Sequence, residues 1–123
     1  MDYIHIRKMT FYAYHGALEE ETRLGQRFQA NVSIATNLSQ AGQTDELAYT
    51  INYAEVYTIC EEIIEGTPVQ LIETLAERIA ATILERFAPK ARGVRVELIK
   101  PDPPIPGNLQ SVAVDITRGD YDG

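Results

Sequence analysis

Apolar and polar residues alternate along four segments of the chain, which is the pattern of strands with one buried face and one solvated face. The predicted strands cover residues 3–14, 28–34, 94–100 and 111–118. In the first strand the alternation changes phase near Lys8 and Met9, which indicates a bulge or bend. The acidic segment 15–25 and the segment 38–50 have no sustained period, and we predict that both are loops.

Two amphipathic helices are predicted between the second and third strands, because apolar residues recur there at helical spacing. The first helix covers residues 53–65, and its predicted apolar face consists of Tyr53, Val56, Cys60 and Ile63 or Ile64. The second helix covers residues 71–87, and its predicted apolar face consists of Ile72, Leu75, Ile79, Ile83 and Phe87. Prolines follow both segments, as is common just beyond a helix C-terminus.

This ββααββ order predicts an α+β fold, with a four-stranded antiparallel sheet that carries both helices on one face. We expect residues 1–118 to form a single domain and residues 119–123 to be a frayed tail. Such a sheet has two open edges, which invite pairing with another chain. Symmetric association into a closed β-barrel would remove both edges, so we predict a homo-oligomer whose active sites could form between subunits.

Composition narrows the possible partners. The chain has 123 residues and a formal net charge of −7, and its eleven Lys and Arg residues are scattered, which argues against binding to nucleic acid. No apolar run approaches the roughly 20 residues of a membrane helix, and the charged N-terminus does not resemble a signal peptide. We therefore expect a cytoplasmic protein that binds no membrane. The only cysteine, Cys60, lies on a helical apolar face and is predicted to be a buried thiol.

Lys100 is the first candidate for chemistry. It continues the apolar row of the third strand and runs directly into the proline-rich turn 101–107. An inward-pointing lysine can protect a sheet edge from mispairing, and that interpretation stays open. The alternative is an acid or base, because the prolines stiffen a turn at the point where the ammonium group emerges.

Three other residues have both a structural and a functional interpretation. Glu73 lies in the first turn of the second helix, where a carboxylate either stabilises the helix end or binds a donor-rich partner. Glu21 ends an acidic run that would ordinarily be a solvated face, and Tyr53 begins the first helix, where a tyrosine usually packs. The two histidines have no metal-ligand spacing, and no phosphate-binding loop or nucleophile elbow is present.

Four motifs together resemble those of the dihydroneopterin aldolase family, in order and spacing and over nearly the whole chain. They are Phe11-Tyr12-Ala13-Tyr14-His15-Gly16-Ala17 with Glu21 and Gly25-Gln26-Arg27-Phe28, then Thr50-Ile51-Asn52-Tyr53-Ala54-Glu55-Val56, then residues 71–80, and finally Lys100 with its Pro-Pro-Ile-Pro-Gly turn. Family members commonly have Leu at position 72 and His at position 52, where this chain has Ile72 and Asn52.

The resemblance implies the tunnelling fold, in which such subunits form an oligomeric barrel, a tetramer or an octamer of two stacked rings. It also implies a lyase of folate biosynthesis that splits 7,8-dihydroneopterin into 6-hydroxymethyl-7,8-dihydropterin and glycolaldehyde. This reaction uses no metal, no lysine Schiff base and no other cofactor, because the pterin itself accepts the electrons.

The resemblance also implies a role for each site residue. Lys100 would donate and accept protons at the 2'-hydroxyl through a water, and Glu21 would orient Lys100 and the substrate hydroxyls. Glu73 would bind the pterin with help from the backbone of Ile72. Tyr53 would reach in from a neighbouring subunit, stack on the pterin and help to reprotonate the intermediate.

Two alternatives remain open at this stage. One is a 2'-epimerase of dihydroneopterin or its triphosphate, in which the two fragments recombine with inverted stereochemistry. The other is a non-catalytic, oligomeric pterin-binding protein.

Overall fold

The alternating segments form one four-stranded antiparallel sheet in a computed structural model that describes residues 1–122. The strands are β1 (Asp2–Ala13), β2 (Gln26–Thr36), β3 (Gly93–Lys100) and β4 (Val112–Gly119). The helices are α1 (Glu19–Leu24), α2 (Ser39–Thr44), α3 (Tyr53–Ile64) and α4 (Ile72–Arg86), with a 3₁₀ turn at Leu47–Tyr49. No helix among residues 1–122 is long and apolar enough to cross a bilayer.

Neighbouring strands in the sheet follow the order of the chain, β1-β2-β3-β4. The bulge predicted in the first strand is confirmed, because the β1–β2 register shifts between Ile6 and Met9. Lys8 lies within this bulge with a φ of 59°. β3 pairs with β2 on one side and with β4 on the other, so β1 and β4 are the edge strands of the single chain.

The core lies between the sheet and the two long helices, as predicted. Helix α3 packs against β1, and helix α4 packs against β3 and β4. The buried side chains of the helices are Val56, Ile59, Cys60, Ile64, Ile72, Leu75, Ala76, Ile79, Ala80 and Ile83. Burial raises the pKa of the Cys60 thiol to about 12, which makes it a core residue rather than a nucleophile.

Three details differ from the predictions. The segments predicted as loops contain α1, α2 and the 3₁₀ turn, which are too short to show a helical period. Tyr53 is not on the buried face of α3: it is the first residue of that helix, and its side chain is 68% exposed. Ile59, which the predicted face did not include, is buried.

The predicted frayed tail is wrong for residues 119–121. Gly119 is the last residue of β4, and the Asp120 N–H donates to the Arg92 carbonyl at 2.8 Å. The Tyr121 ring meets Tyr3 edge-on with 5.3 Å between centroids. The end of this tail, Gly123, lies outside the described residues.

Gly93 provides a test of how residues 119–121 pack, because a Cβ added there would lie 2.3 Å from the Asp120 carbonyl oxygen. The clash is with backbone, which cannot rotate away, so we expect Gly93→Ala to lower the free energy of unfolding by roughly 1–3 kcal/mol. The matched control is Gly42→Ala in α2, where a Cβ would meet nothing within 4 Å. Urea titrations at equal protein concentration measure both, and a Gly93→Ala protein as stable as the parent would contradict the packing.

Candidate active site

Lys100 is the last residue of β3 and continues a row of buried side chains. Val94, Val96 and Leu98 on that row are at most 1% exposed. β3 is an interior strand, and Lys100 itself is paired with Val112 of β4. The edge-protection interpretation therefore fails, because this lysine is not on an edge. Its ammonium group instead donates to Glu21 Oε2 at 2.8 Å.

Glu21 is buried, although it belongs to a run of three acidic residues. The Glu21 and Lys100 side chains are only 6% and 15% exposed, respectively. Besides the Lys100 ammonium, the carboxylate accepts from Gln26 Nε2 at 2.7 Å and from the Leu18 N–H at 3.3 Å. Burial raises the pKa of Glu21, but these three hydrogen bonds outweigh it and hold the pKa below 4.5. The lowered pKa of Glu21 therefore keeps a carboxylate beside the Lys100 nitrogen in a largely dry site.

The proline-rich turn after Lys100 is fixed to the neighbouring strand. The Arg27 guanidinium donates from Nε and Nη2 to Asp102 Oδ2, at 3.2 and 3.0 Å. A shallow cleft lies between this turn and α1, and its lining includes Glu21, Gln26 and Pro104. Glu21 therefore lies in the wall of this cleft, and Lys100 reaches it through its bond to Glu21.

His15 is fully buried just after β1, and both of its ring nitrogens are hydrogen-bonded. Nδ1 accepts from the Val69 N–H at 3.0 Å, and Nε2 donates to the Ile64 carbonyl at 2.5 Å. An amide N–H can only donate and a carbonyl can only accept, so the imidazole is the neutral Nε2–H tautomer. Its pKa lies below 6.5, chiefly because burial disfavours the cation and also because Lys100 and Arg78 are nearby, although the bond to Ile64 acts in the opposite direction.

Gly16 connects this histidine to Glu21 and to the start of α4. Its N–H donates to the Val69 carbonyl at 2.9 Å, so both backbone groups of Val69 are held by residues 15 and 16. A Cβ on Gly16 would lie 2.4 Å from Glu21 Cδ, which shows how closely the two residues pack. The segment before α4 is therefore anchored to the segment that carries Glu21.

Helix α4 begins three residues after Val69, at Ile72. No side chain caps this helix end, so its first backbone N–H groups are available to a ligand. Ile72 is buried and Glu73 is exposed. No salt bridge involves Glu73 in residues 1–122, whereas Glu77 pairs with Arg118 at 2.8 Å. The Glu73 carboxylate can accept hydrogen bonds from the edge of a heterocycle, and the nearby backbone N–H groups can donate to it.

The structure thus brings Lys100 and Glu21 into contact and links them through residues 15, 16 and 69 to the helix end that carries Ile72 and Glu73. It does not bring Tyr53 to them within one chain, since no hydrogen bond or aromatic contact in residues 1–122 joins it to these residues. Among residues 1–122, no group of three or more His, Cys, Asp or Glu side chains could hold a metal ion.

His15 and Gln26 also belong to this cluster, although neither was predicted from the sequence. A signal for His15 was present, because it continues the buried β1 row of Met9, Phe11 and Ala13. Gln26 gave no such signal, since its contact with Glu21 depends on how α1 folds back.

Known proteins resemble this chain over nearly its whole length. The family described as FolB, dihydroneopterin aldolase, matches residues 4–117. A relative named dihydroneopterin aldolase from Bacillus subtilis is 55% identical over 118 residues, which cover 96% of this chain and 98% of the relative.

Two solved structures share the fold. The Escherichia coli dihydroneopterin aldolase in complex with neopterin superposes with a TM-score of 0.88 and 27% identity, over 97% of this chain and 100% of that one. A dihydroneopterin aldolase from Burkholderia thailandensis bound to guanine gives 0.78 and 25%, over 98% and 92% of the two chains. This chain belongs to the dihydroneopterin aldolase family.

The Lys100–Glu21 pair predicts a pH dependence of stability. A carboxylate with a pKa below 4.5 in the folded protein contributes stability above pH 4.5, and this is lost as the pH falls through the folded-state value. We expect Glu21→Gln to lower the free energy of unfolding by about 1.5–3 kcal/mol at neutral pH and by progressively less below pH 4.5.

Urea titrations from pH 7 to pH 3 at fixed protein concentration measure this difference. The matched control is the exposed neighbour Glu20, whose Glu20→Gln variant should stay within about 0.5 kcal/mol of the parent throughout. A Glu21→Gln deficit that is constant or grows toward pH 3 would contradict the ion pair.

Proposed function

We propose that this chain is a lyase that cleaves 7,8-dihydroneopterin into 6-hydroxymethyl-7,8-dihydropterin and glycolaldehyde, a step of folate biosynthesis. The observation that carries the proposal is the buried Lys100–Glu21 pair, held 2.8 Å apart at the end of β3 in a chain of the dihydroneopterin aldolase family. The neopterin in the Escherichia coli relative supports a pterin as substrate.

The chemistry needs proton transfer and orientation. When the 2'-hydroxyl loses its proton, the C1'–C2' bond breaks and C2' leaves as the aldehyde carbon of glycolaldehyde. The bonding electrons form a C6=C1' double bond, and the former N5=C6 electrons take up a proton at N5. Protonation at C1' and loss of the N5 proton then restore the imine and give the hydroxymethyl product.

As a neutral amine, Lys100 is proposed to accept the proton of the 2'-hydroxyl through a water, and as the resulting ammonium it is proposed to return a proton. A positioned acid-base group contributes about 10²- to 10⁴-fold to the rate. Glu21 fixes the lysine side chain by a charge-assisted bond, and it orients the substrate hydroxyls from the same side. Gln26 supports this arrangement, because it donates to the same carboxylate oxygen as Lys100 does.

Glu73 and the backbone of Ile72 are proposed to hold the pterin ring. The 2-amino and N3–H groups of a pterin form a planar pair of donors that suits one carboxylate. Guanine presents a similar edge, and the Burkholderia relative binds guanine. The uncapped start of α4 offers N–H donors for the adjacent ring carbonyl.

Tyr53 is proposed to complete the site of a neighbouring subunit in a homo-oligomer, a tetramer or an octamer. Its exposed ring at the start of α3 and the unpaired edges of β1 and β4 support this assignment.

Turnover and binding separate the enzyme from a pterin-binding protein. We expect the parent to release glycolaldehyde from 7,8-dihydroneopterin and Lys100→Ala to lose at least about 10²-fold in kcat, with its affinity for neopterin changed only a few-fold. The control is Lys90→Ala, an exposed lysine that donates to the Thr50 carbonyl and should leave both unchanged. Chromatography of the products also resolves the 2'-epimer.

A parent that binds neopterin but releases no glycolaldehyde would contradict the lyase. The epimer without cleavage products would assign the chain to the epimerases instead.

Mixing two inactive variants tests the shared site. We expect Lys100→Ala and Tyr53→Ala oligomers each to be nearly inactive, and their co-refolded mixture to recover activity, because some sites then combine an intact Lys100 with an intact Tyr53 from the other subunit. The control is each variant refolded alone. A mixture no more active than either variant refolded alone would place Tyr53 and Lys100 of each site on one chain.

A further inference from the structure

His15 is a fully buried titratable residue that the proposed reaction does not use. It makes no contact with solvent, and the edge of its ring packs on Phe28 with 5.5 Å between centroids. Both nitrogens are used for bonds to the backbone between α3 and α4, at Ile64 and Val69. A buried histidine with two backbone partners holds that connection in one position.

We propose that His15 is a positioning residue that fixes the pterin-binding start of α4 relative to the Lys100–Glu21 pair, chiefly through the bond from the Val69 N–H to Nδ1. The proposal rests on the proposed function, because it assigns α4 the role of holding the pterin.

The path between the two halves of the site is short. On one side, His15 and Gly16 bind the two backbone groups of Val69, and α4 begins three residues later. On the other side, Gly16 packs directly on the Glu21 side chain, with a φ of 154° that favours glycine. The His15 ring itself bonds Val69 and Ile64 and not Glu21 or Lys100, so a change at this ring acts first on the segment before α4.

Few side chains meet the requirements of this position. The site needs one acceptor and one donor at a fixed separation, in a space that excludes water. A neutral imidazole provides both. Phenylalanine fills the volume but leaves both backbone groups unpaired, and a lysine or arginine would bring a third cation near Lys100 and Arg78.

Two amide variants each keep one of the two hydrogen bonds that His15 makes and remove the other. In His15→Asn the side-chain oxygen lies near the position of Nδ1, so it can accept from the Val69 N–H while the bond to Ile64 is lost. In His15→Gln the amide nitrogen reaches the position of Nε2, so the bond to Ile64 is kept and the bond from Val69 is lost. The histidine control is His5→Gln, because His5 is exposed on the polar face of the sheet and bonds Ser33.

The experiment compares KM and kcat for 7,8-dihydroneopterin in the parent, His15→Asn, His15→Gln, His15→Phe and His5→Gln. We expect His15→Gln and His15→Phe to raise KM about tenfold with kcat within about threefold, because the ring is held less well while Lys100 and Glu21 are undisturbed. His15→Asn should restore KM to within about threefold of the parent. The Asn and Gln variants decide the question even if the Phe variant does not fold.

An unchanged KM in His15→Gln, or a loss confined to kcat, would overturn the proposal. Hydrogen exchange of the backbone amides gives a second readout that needs no substrate. Faster exchange at Val69 and in the first turn of α4 in His15→Gln, but not in His15→Asn, supports the positioning role, and equal exchange overturns it. A parent that releases no glycolaldehyde contradicts the lyase alone, and the exchange rates then decide the role of His15.

Discussion

The ion pair between Lys100 and Glu21 is the interaction on which the rest of the site depends. Both side chains are largely removed from water, so either charge would be strongly destabilising if its partner were removed. Lys100 lies at the end of an interior strand, and Glu21 lies in a helix of only six residues. The geometry is therefore set by two elements that are 79 positions apart in sequence.

The two carboxylates of the proposed site differ in environment, and this difference supports the different uses proposed for them. Glu21 is buried and accepts three hydrogen bonds, which keep it ionised and in place. Glu73 is exposed on the first turn of α4, where free N–H groups favour an anionic or acceptor-rich partner. A buried carboxylate suits the orientation of a proton-transferring lysine, and an exposed one suits recognition of a ligand that arrives from solvent.

Much of the fold followed from periodicity alone, because long elements with one buried face leave a strong pattern. The alternation of β3 was sufficient to place Lys100 on the core row, and the bulge in β1 appeared as a change of phase. Short elements leave no such pattern. The sequence could not show which acid of the run 19–21 turns inward, because that depends on how α1 packs against Gly16.

The orientation of Tyr53 is a second feature that the sequence pattern did not predict. A helix-start tyrosine was placed on the apolar stripe by its spacing, but the first residue of a helix can point away from the core, and here it does. Its proposed partner lies on another subunit, where the pattern of a single chain carries no information. His15, in contrast, could have been found with the rule that found Lys100, because both are polar residues that end a buried row.

A structure of this chain with bound neopterin would show whether Lys100, Glu21 and the start of α4 form one site. We expect the pterin ring at the start of α4, with its amino edge on the Glu73 carboxylate, and the 2'-hydroxyl within one water of the Lys100 nitrogen while Lys100 remains bonded to Glu21. A ligand bound on the polar face of the sheet, or one whose side chain points away from Lys100, would contradict it.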